Sequence, residues 1–208
     1  SSWARSERKS ARRSSGPPSD FAETWAGNGV SAWGPRLRGG PGLAEVKRWV
    51  NFDRVNLVDE LHAIATTLSR ADIAYAICGG LAVTIHGATR TTKDIDVLIA
   101  RGDVQRALEA VRPLGYAFAA LPMVFEAGTD RERHVQRVTK LEQGHALVLD
   151  LLLADASFAG FLADRVTLEL PRGSLTVVSR ETLLLMKRLA GRPQDVADIS
   201  KLETPDEP

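Results

Sequence analysis

The chain holds one cysteine, Cys78, in 208 residues, so no internal disulfide can form and a reducing, cytoplasmic setting is expected. A lone Cys in an apolar run reads as a small buried residue rather than a nucleophile. No apolar run reaches the roughly 18–20 residues of a membrane helix, so a membrane is not among the expected partners. Charge of one sign is also missing: the formal net charge is +1. That excludes a global attraction to nucleic acid, and a polyanion would need a local patch. The balance is uneven, with nine Lys/Arg against four Asp/Glu in residues 1–50 and eighteen against twenty-two in the remainder. Aromatics are scarce, and all four tryptophans (Trp3, Trp25, Trp33, Trp49) fall in the first fifty residues.

Residues 1–45 are rich in Ser, Arg, Gly and Pro and hold no sustained apolar period. They read as a disordered or loosely attached tail, on which some tryptophans, Trp49 first, could dock on the domain. The Arg- and Ser-rich opening has no clear amphipathic face, which argues against a transit peptide. Residues 46–208 read as one domain. Helical spacing of Val55, Leu57, Val58, Leu61, Ile64, Ala65 and Leu68 predicts a core-facing helix over 55–69, with Asp53 as its cap.

The stretch from Tyr75 to Ala100, YAICGGLAVTIHGATRTTKDIDVLIA, organises the rest. A short apolar strand leads to Gly79 and Gly80, then a helix from about Leu81 to Gly87, then a strand carrying Asp94 and Asp96. Side chains two apart on a strand share a face, so the two carboxylates project together. Their repulsion is relieved by a divalent cation, and Mg2+ takes hard oxygen ligands along with substrate phosphates. The glycines leave room for a phosphate to approach the backbone, and the helix N-terminus offers free N–H groups. The unit reads as a metal–nucleotide site.

Gly-Gly, a spacer of about a dozen residues and Asp-apolar-Asp together resemble the signature of the nucleotidyltransferase (polymerase beta-like) superfamily. Gly87, Arg90, Thr92 and the run DIDVLI resemble its small bacterial branch of AbiEii-type toxins and related nucleotidyltransferases. The resemblance covers about residues 55–205. It implies an α/β (α+β) nucleotidyltransferase fold: a short mixed β-sheet flanked by helices, with further helices at the C-terminal end. It also implies Mg2+ or Mn2+ as cofactor, NTP as substrate, a tRNA, protein or small-molecule acceptor, and an antitoxin partner.

Asp103 is placed as the cap of a helix over 104–114 whose buried stripe is Val104, Leu108 and Val111. Residues 131–141, RERHVQRVTKL, alternate as a half-exposed strand, with Arg133, Arg137 and Lys140 as a solvated basic ribbon that a tRNA or triphosphate could use. In His145–Leu153 one carboxylate, Asp150, interrupts a nearly continuous apolar run. A lone buried carboxylate is costly unless paired or metal-bound. In the superfamily a third carboxylate faces the Asp-x-Asp pair from a neighbouring strand, and Asp150 fits that place. Strands over 165–170 and 175–178 flank a turn at Pro171-Arg172-Gly173. Ser179 then caps a helix through Leu189, Gly191 ends it, and Pro193 opens another. Lys187, Arg192, Asp195 and Asp198 stand where AbiEii-like proteins carry a helix lysine, an arginine and an Asp-x-x-Asp pair; Gln194 takes a spot that is frequently lysine there.

The resulting expectation is NMP transfer from an NTP. Asp94 and Asp96 hold the metal, Asp150 completes the metal site or acts as base, Lys187 and Arg90 offset phosphate charge, Gly79, Gly80 and Thr92 shape the nucleotide site, and Asp195 orients Lys187 or a metal-bound water. Two alternatives share the fold: a non-catalytic binding or regulatory protein, and an antibiotic-modifying nucleotidyltransferase.

Overall fold

The computed structural model describes residues 51–52, 55–129, 131–142, 144–155, 158–170 and 173–204. The expected tail, the tryptophan docking, the Asp53 cap and the Pro171-Arg172 part of the turn lie outside those residues. Strands β1 (Asn51–Phe52) and β2 (Val55–Asn56) pair antiparallel. Helix α1 (Leu57–Arg70) therefore starts two residues later than its apolar spacing suggests, since Val55 and Asn56 belong to β2. Its stripe of Leu57, Val58, Leu61, Ile64, Ala65 and Leu68 is buried as the spacing requires.

Strand β3 (Tyr75–Ile77) leads into α2 (Gly79–Ile85), which begins at the first glycine rather than at Leu81. Strand β4 (Asp94–Ala100) follows, and then α3 (Val104–Val111). Helix α3 departs from its expected cap and stripe. Asp103 makes no cap hydrogen bond; it sits in a 3-10 turn and its carboxylate pairs with Arg106 at 2.5 Å. Ala107 and Val111 are the fully buried pair of α3, while Val104 and Leu108 are only partly covered.

Two short strands, β5 (Phe118–Ala119) and β6 (Met123–Phe125), precede the long β7 (Arg133–Glu142) and β8 (His145–Ala154). Helix α4 (Ala159–Ala163), strands β9 (Arg165–Leu170) and β10 (Gly173–Val178), and helices α5 (Arg180–Ala190) and α6 (Pro193–Glu203) complete the order. Ser179 caps α5 as expected, its Oγ accepting from the Thr182 N–H at 3.0 Å. Gly191 closes α5 with φ +60°, a left-handed position that suits glycine.

Among the described residues one mixed sheet runs β5-β7-β8-β4-β3-β10-β9, with β6 sharing the β7 edge. β4 is parallel to β8 and antiparallel to β3; β8 is antiparallel to β7. Ile95, Val97 and Ile99 point away from the aspartates and are at most 1% exposed. They share one apolar cluster with Leu61, Ile64 and Leu68 of α1 and Val111 of α3. Each such side chain contributes about 1.5–3 kcal/mol, so this face fixes the register of β4 and thereby the opposite face. Among the described residues no helix is long and apolar enough to cross a membrane.

Candidate active site

Register brings the acidic side chains together. β4 and β8 align Asp96 with Asp150, and neighbours in register share a face. Asp94, Asp96 and Asp150 all line one cavity of about 340 Å³, together with Gly79, Gly80, Arg90, Thr92, Lys187 and Asp195. The nine residues given a metal, catalytic or nucleotide role from the sequence thus line one cavity, whereas Lys140 and Asp198 do not line it.

The two glycines do different work. Gly79 has φ +62°, and a Cβ there would stand 1.9 Å from Asp96 Oδ2. At Gly80 a Cβ would stand 2.4 Å from Arg90 Nη1 and 2.9 Å from Thr92 Oγ1. Only bare backbone lets the carboxylate and the arginine approach so closely. Thr92 Oγ1 donates to the Asp94 carbonyl at 3.3 Å, which steadies the start of β4.

Asp96 is the strained charge. Burial, then the Asp150 and Asp94 charges, push its carboxyl from 3.8 up to about 7, against the pull of the Gly80 N–H and Arg90. Carboxylate oxygens are the right donors for Mg2+ or Mn2+, and this pocket carries the repulsion a cation would relieve. Even so, among the described residues no three His, Cys, Asp or Glu groups gather closely enough to hold one ion. A cationic side chain already sits on Asp150: Arg137 donates from Nε to Oδ1 at 2.8 Å and from Nη2 to Oδ2 at 2.7 Å.

The basic ribbon expected on β7 therefore splits. Arg137 turns to the cavity and Asp150. Lys140, an odd number of residues away, turns to the other face and bonds Glu60 at 2.6 Å and Glu142 at 3.0 Å. Arg133 faces the cavity mouth, its guanidinium 6.0 Å from the Phe125 ring centre.

Another wall is an ion cluster between α5, α6 and the loop after α2, buried at Lys187, Asp195 and Asp198 and open to solvent at Arg192. Lys187 Nζ donates to Asp195 Oδ1 at 3.1 Å and Asp198 Oδ2 at 2.7 Å, and Lys187 is only 4% exposed. Arg192 Nε donates to Asp195 Oδ2 at 2.6 Å, and Arg90 Nε lies 3.4 Å from Asp198 Oδ2. Burial alone would raise the Asp195 carboxyl, but the Arg192 and Lys187 hydrogen bonds outweigh it and hold it below the ordinary range. Three cations face two carboxylates, which leaves the wall net positive. Asp195 is thus shared by Lys187 and Arg192. His86 is structural, its Nε2 hydrogen-bonded with the Val178 carbonyl at 2.8 Å, and Cys78 is fully buried.

Arg137 is the cavity residue whose role the sequence hid. Alternation puts it on one face with Arg133, but only the β7–β8 register, Arg137 opposite Asp150, reveals its partner.

No protein-family model matches the chain, and no curated protein matches it. Solved structures do. A candidate nucleotidyltransferase from Thermotoga maritima superposes with a TM-score of 0.51 at 13% identity, over 73% of this chain and 94% of that one. An antigenic nucleotidyltransferase-like protein from Paracoccidioides brasiliensis gives 0.47 at 19%, over 79% and 78%. The antibiotic-resistance factor ANT(2'')-Ia, in complex with adenylyl-2''-tobramycin, gives 0.47 at 16%, over 71% and 88%. The chain has a mixed α+β architecture of the nucleotidyltransferase fold.

Proposed function

We propose that this chain is a nucleotidyltransferase moving a nucleoside monophosphate from an NTP to an acceptor hydroxyl or phosphate. The observation that carries this is the meeting of Asp94, Asp96 and Asp150 with a net positive wall around one glycine-floored cavity. An acceptor oxygen attacks the α-phosphorus, the bond to the bridging oxygen breaks, and pyrophosphate leaves. Gly79 and Gly80 carry no side chains, which lets Asp96 and Arg90 close in to line the phosphate site. Lys187 and Arg90 supply positive charge beside the leaving pyrophosphate, and Asp195 keeps the Lys187 ammonium in place. Asp94 and Asp96 would hold Mg2+ or Mn2+, which supplies Lewis-acid charge to the triphosphate and lowers the acceptor pKa. Asp150, in register with Asp96, would join that oxygen set only on release from Arg137, or would take the acceptor proton.

The motif set resembles that of the AbiEii-type branch, and the biology matching that resemblance is a tRNA, other RNA or protein acceptor, a toxin role and an antitoxin partner. The deciding assay incubates the full chain with Mg2+, each labelled NTP and cellular RNA or protein. Wild type transfers label and the Asp94→Ala, Asp96→Ala double variant transfers none. Equal labelling by both rejects the assignment.

One observation favours a second reading, a non-catalytic binding protein of the same fold: both oxygens of Asp150 are taken by Arg137. Calorimetric titration separates the two, because a non-catalytic partner shows no metal-dependent nucleotide binding.

A further inference from the structure

We infer that Arg137 is a substrate-operated latch on Asp150: it covers that carboxylate in the free protein and passes to the phosphates of an arriving nucleotide. The inference rests on the nucleotidyltransferase reading and adds a residue, and an order of events, to it.

The geometry behind it is specific. Arg137 and Asp150 are cross-strand partners on the cavity face, and the guanidinium fork occupies both carboxylate oxygens. The other cations of the cavity wall are committed elsewhere. Lys187 is held between Asp195 and Asp198, Arg192 is held by Asp195, Arg90 lies against Asp198, and Arg133 lies 3.8 Å from Glu126 and against the Phe125 ring. Arg137 is held by a member of the acidic triad, with Asp94 and Asp96 adding to its attraction. Its side chain is 39% exposed and long enough to swing, whereas Asp150 is 11% exposed and fixed within β8.

A guanidinium fits phosphate oxygens by the same two-pronged geometry that fits a carboxylate. A triphosphate carries several charges to the single one of Asp150, so it competes for Arg137 on favourable terms. When Arg137 moves to phosphate, Asp150 is uncovered at the moment its oxygens are needed. Without nucleotide the third carboxylate stays neutralised, and a divalent ion meets an incomplete ligand set. Ion and nucleotide should therefore reinforce each other's binding, a coupling that falls in the range of about 5–150-fold.

The test measures two ligands on the full chain without turnover. Free Mn2+ is titrated by its electron paramagnetic resonance signal against nucleotide-free protein. Binding of α,β-methylene-ATP is then measured at saturating Mn2+. For Arg137→Ala, Mn2+ affinity should rise about tenfold while analogue affinity falls about tenfold, with Arg137→Lys between. Opposite signs are the signature, because an arginine that only braces the sheet weakens both ligands or neither. If wild type binds the Mn2+–analogue complex and Arg137→Ala shifts both affinities the same way, or neither, the latch is wrong and the nucleotidyltransferase reading stands. If wild type binds neither ligand, both fall. Should Arg137→Ala fail to fold, wild-type protein labelled with 15N-arginine decides: the Arg137 Nε–H resonance moves on adding Mg2+ and the analogue, and an unmoved resonance overturns the latch.

Discussion

Asp96 makes the sharpest prediction, because its cost can be worked from its surroundings. Its carboxyl is pushed from 3.8 up to about 7 by burial and by Asp150 and Asp94. A folded-state value above the unfolded one means the native protein holds a proton that the unfolded chain releases. Stability contributed by that proton is intact below pH 3.8, is lost as pH rises toward 7, and stays lost above it. Three units at about 1.36 kcal/mol each give about 4 kcal/mol. Asp96 opens onto the cavity, where water screens part of the repulsion, so that figure is a ceiling. Asp96→Asn removes the charge and keeps the shape. In urea denaturation with chelator present, the variant should gain on wild type as pH rises, from near zero at pH 4 to as much as about 4 kcal/mol at pH 8. Millimolar Mg2+ at pH 8 should stabilise wild type and leave the variant unmoved. A difference between the two proteins that stays flat from pH 4 to pH 8 refutes the electrostatic reasoning.

The glycine floor and the ion wall can be tested in the same way. Gly79→Ala puts a Cβ where Asp96 Oδ2 stands, at φ +62°, so it should cost at least about 1–2 kcal/mol in urea denaturation and remove the Mg2+-dependent stabilisation; a stable, Mg2+-responsive variant contradicts the packing. Lys187→Met leaves Asp195 and Asp198 short of their shared ammonium and should cost about 3–5 kcal/mol, whereas a loss under about 1 kcal/mol shows that Arg90 and Arg192 suffice to hold them.

Much of this site could be read before any coordinates. Asp94 and Asp96 announce themselves by strand alternation, and Asp150 by being the one charge in an apolar run. Ser179 and Gly191 mark the ends of α5 through local capping chemistry, which sequence carries directly. What stayed hidden was register. Whether Asp150 lies beside Asp96 or one residue off depends on the pairing of β4 with β8, strands fifty residues apart. The same holds for Arg137, whose neighbours in sequence suggested a solvated face. The false cap at Asp103 has a local cause: a 3-10 turn in front of α3 turned its side chain toward Arg106. At α1, pairing of Val55 and Asn56 with β1 overrode a helical pattern that extended through them.

The ion cluster joining α5, α6 and Arg90 has a consequence for the timing of synthesis. The carboxylates on β4 and β8 are made well before Lys187 and Arg192, two of the three cations of the positive wall. A chain ending before Lys187 would keep Arg90 and Arg137 beside the carboxylates but lack Lys187 and Arg192, so on the proposed reading it should hold a triphosphate more weakly than the full chain. The wall is complete only when α5 and α6 have both been made and Asp198 meets Lys187 and Arg90.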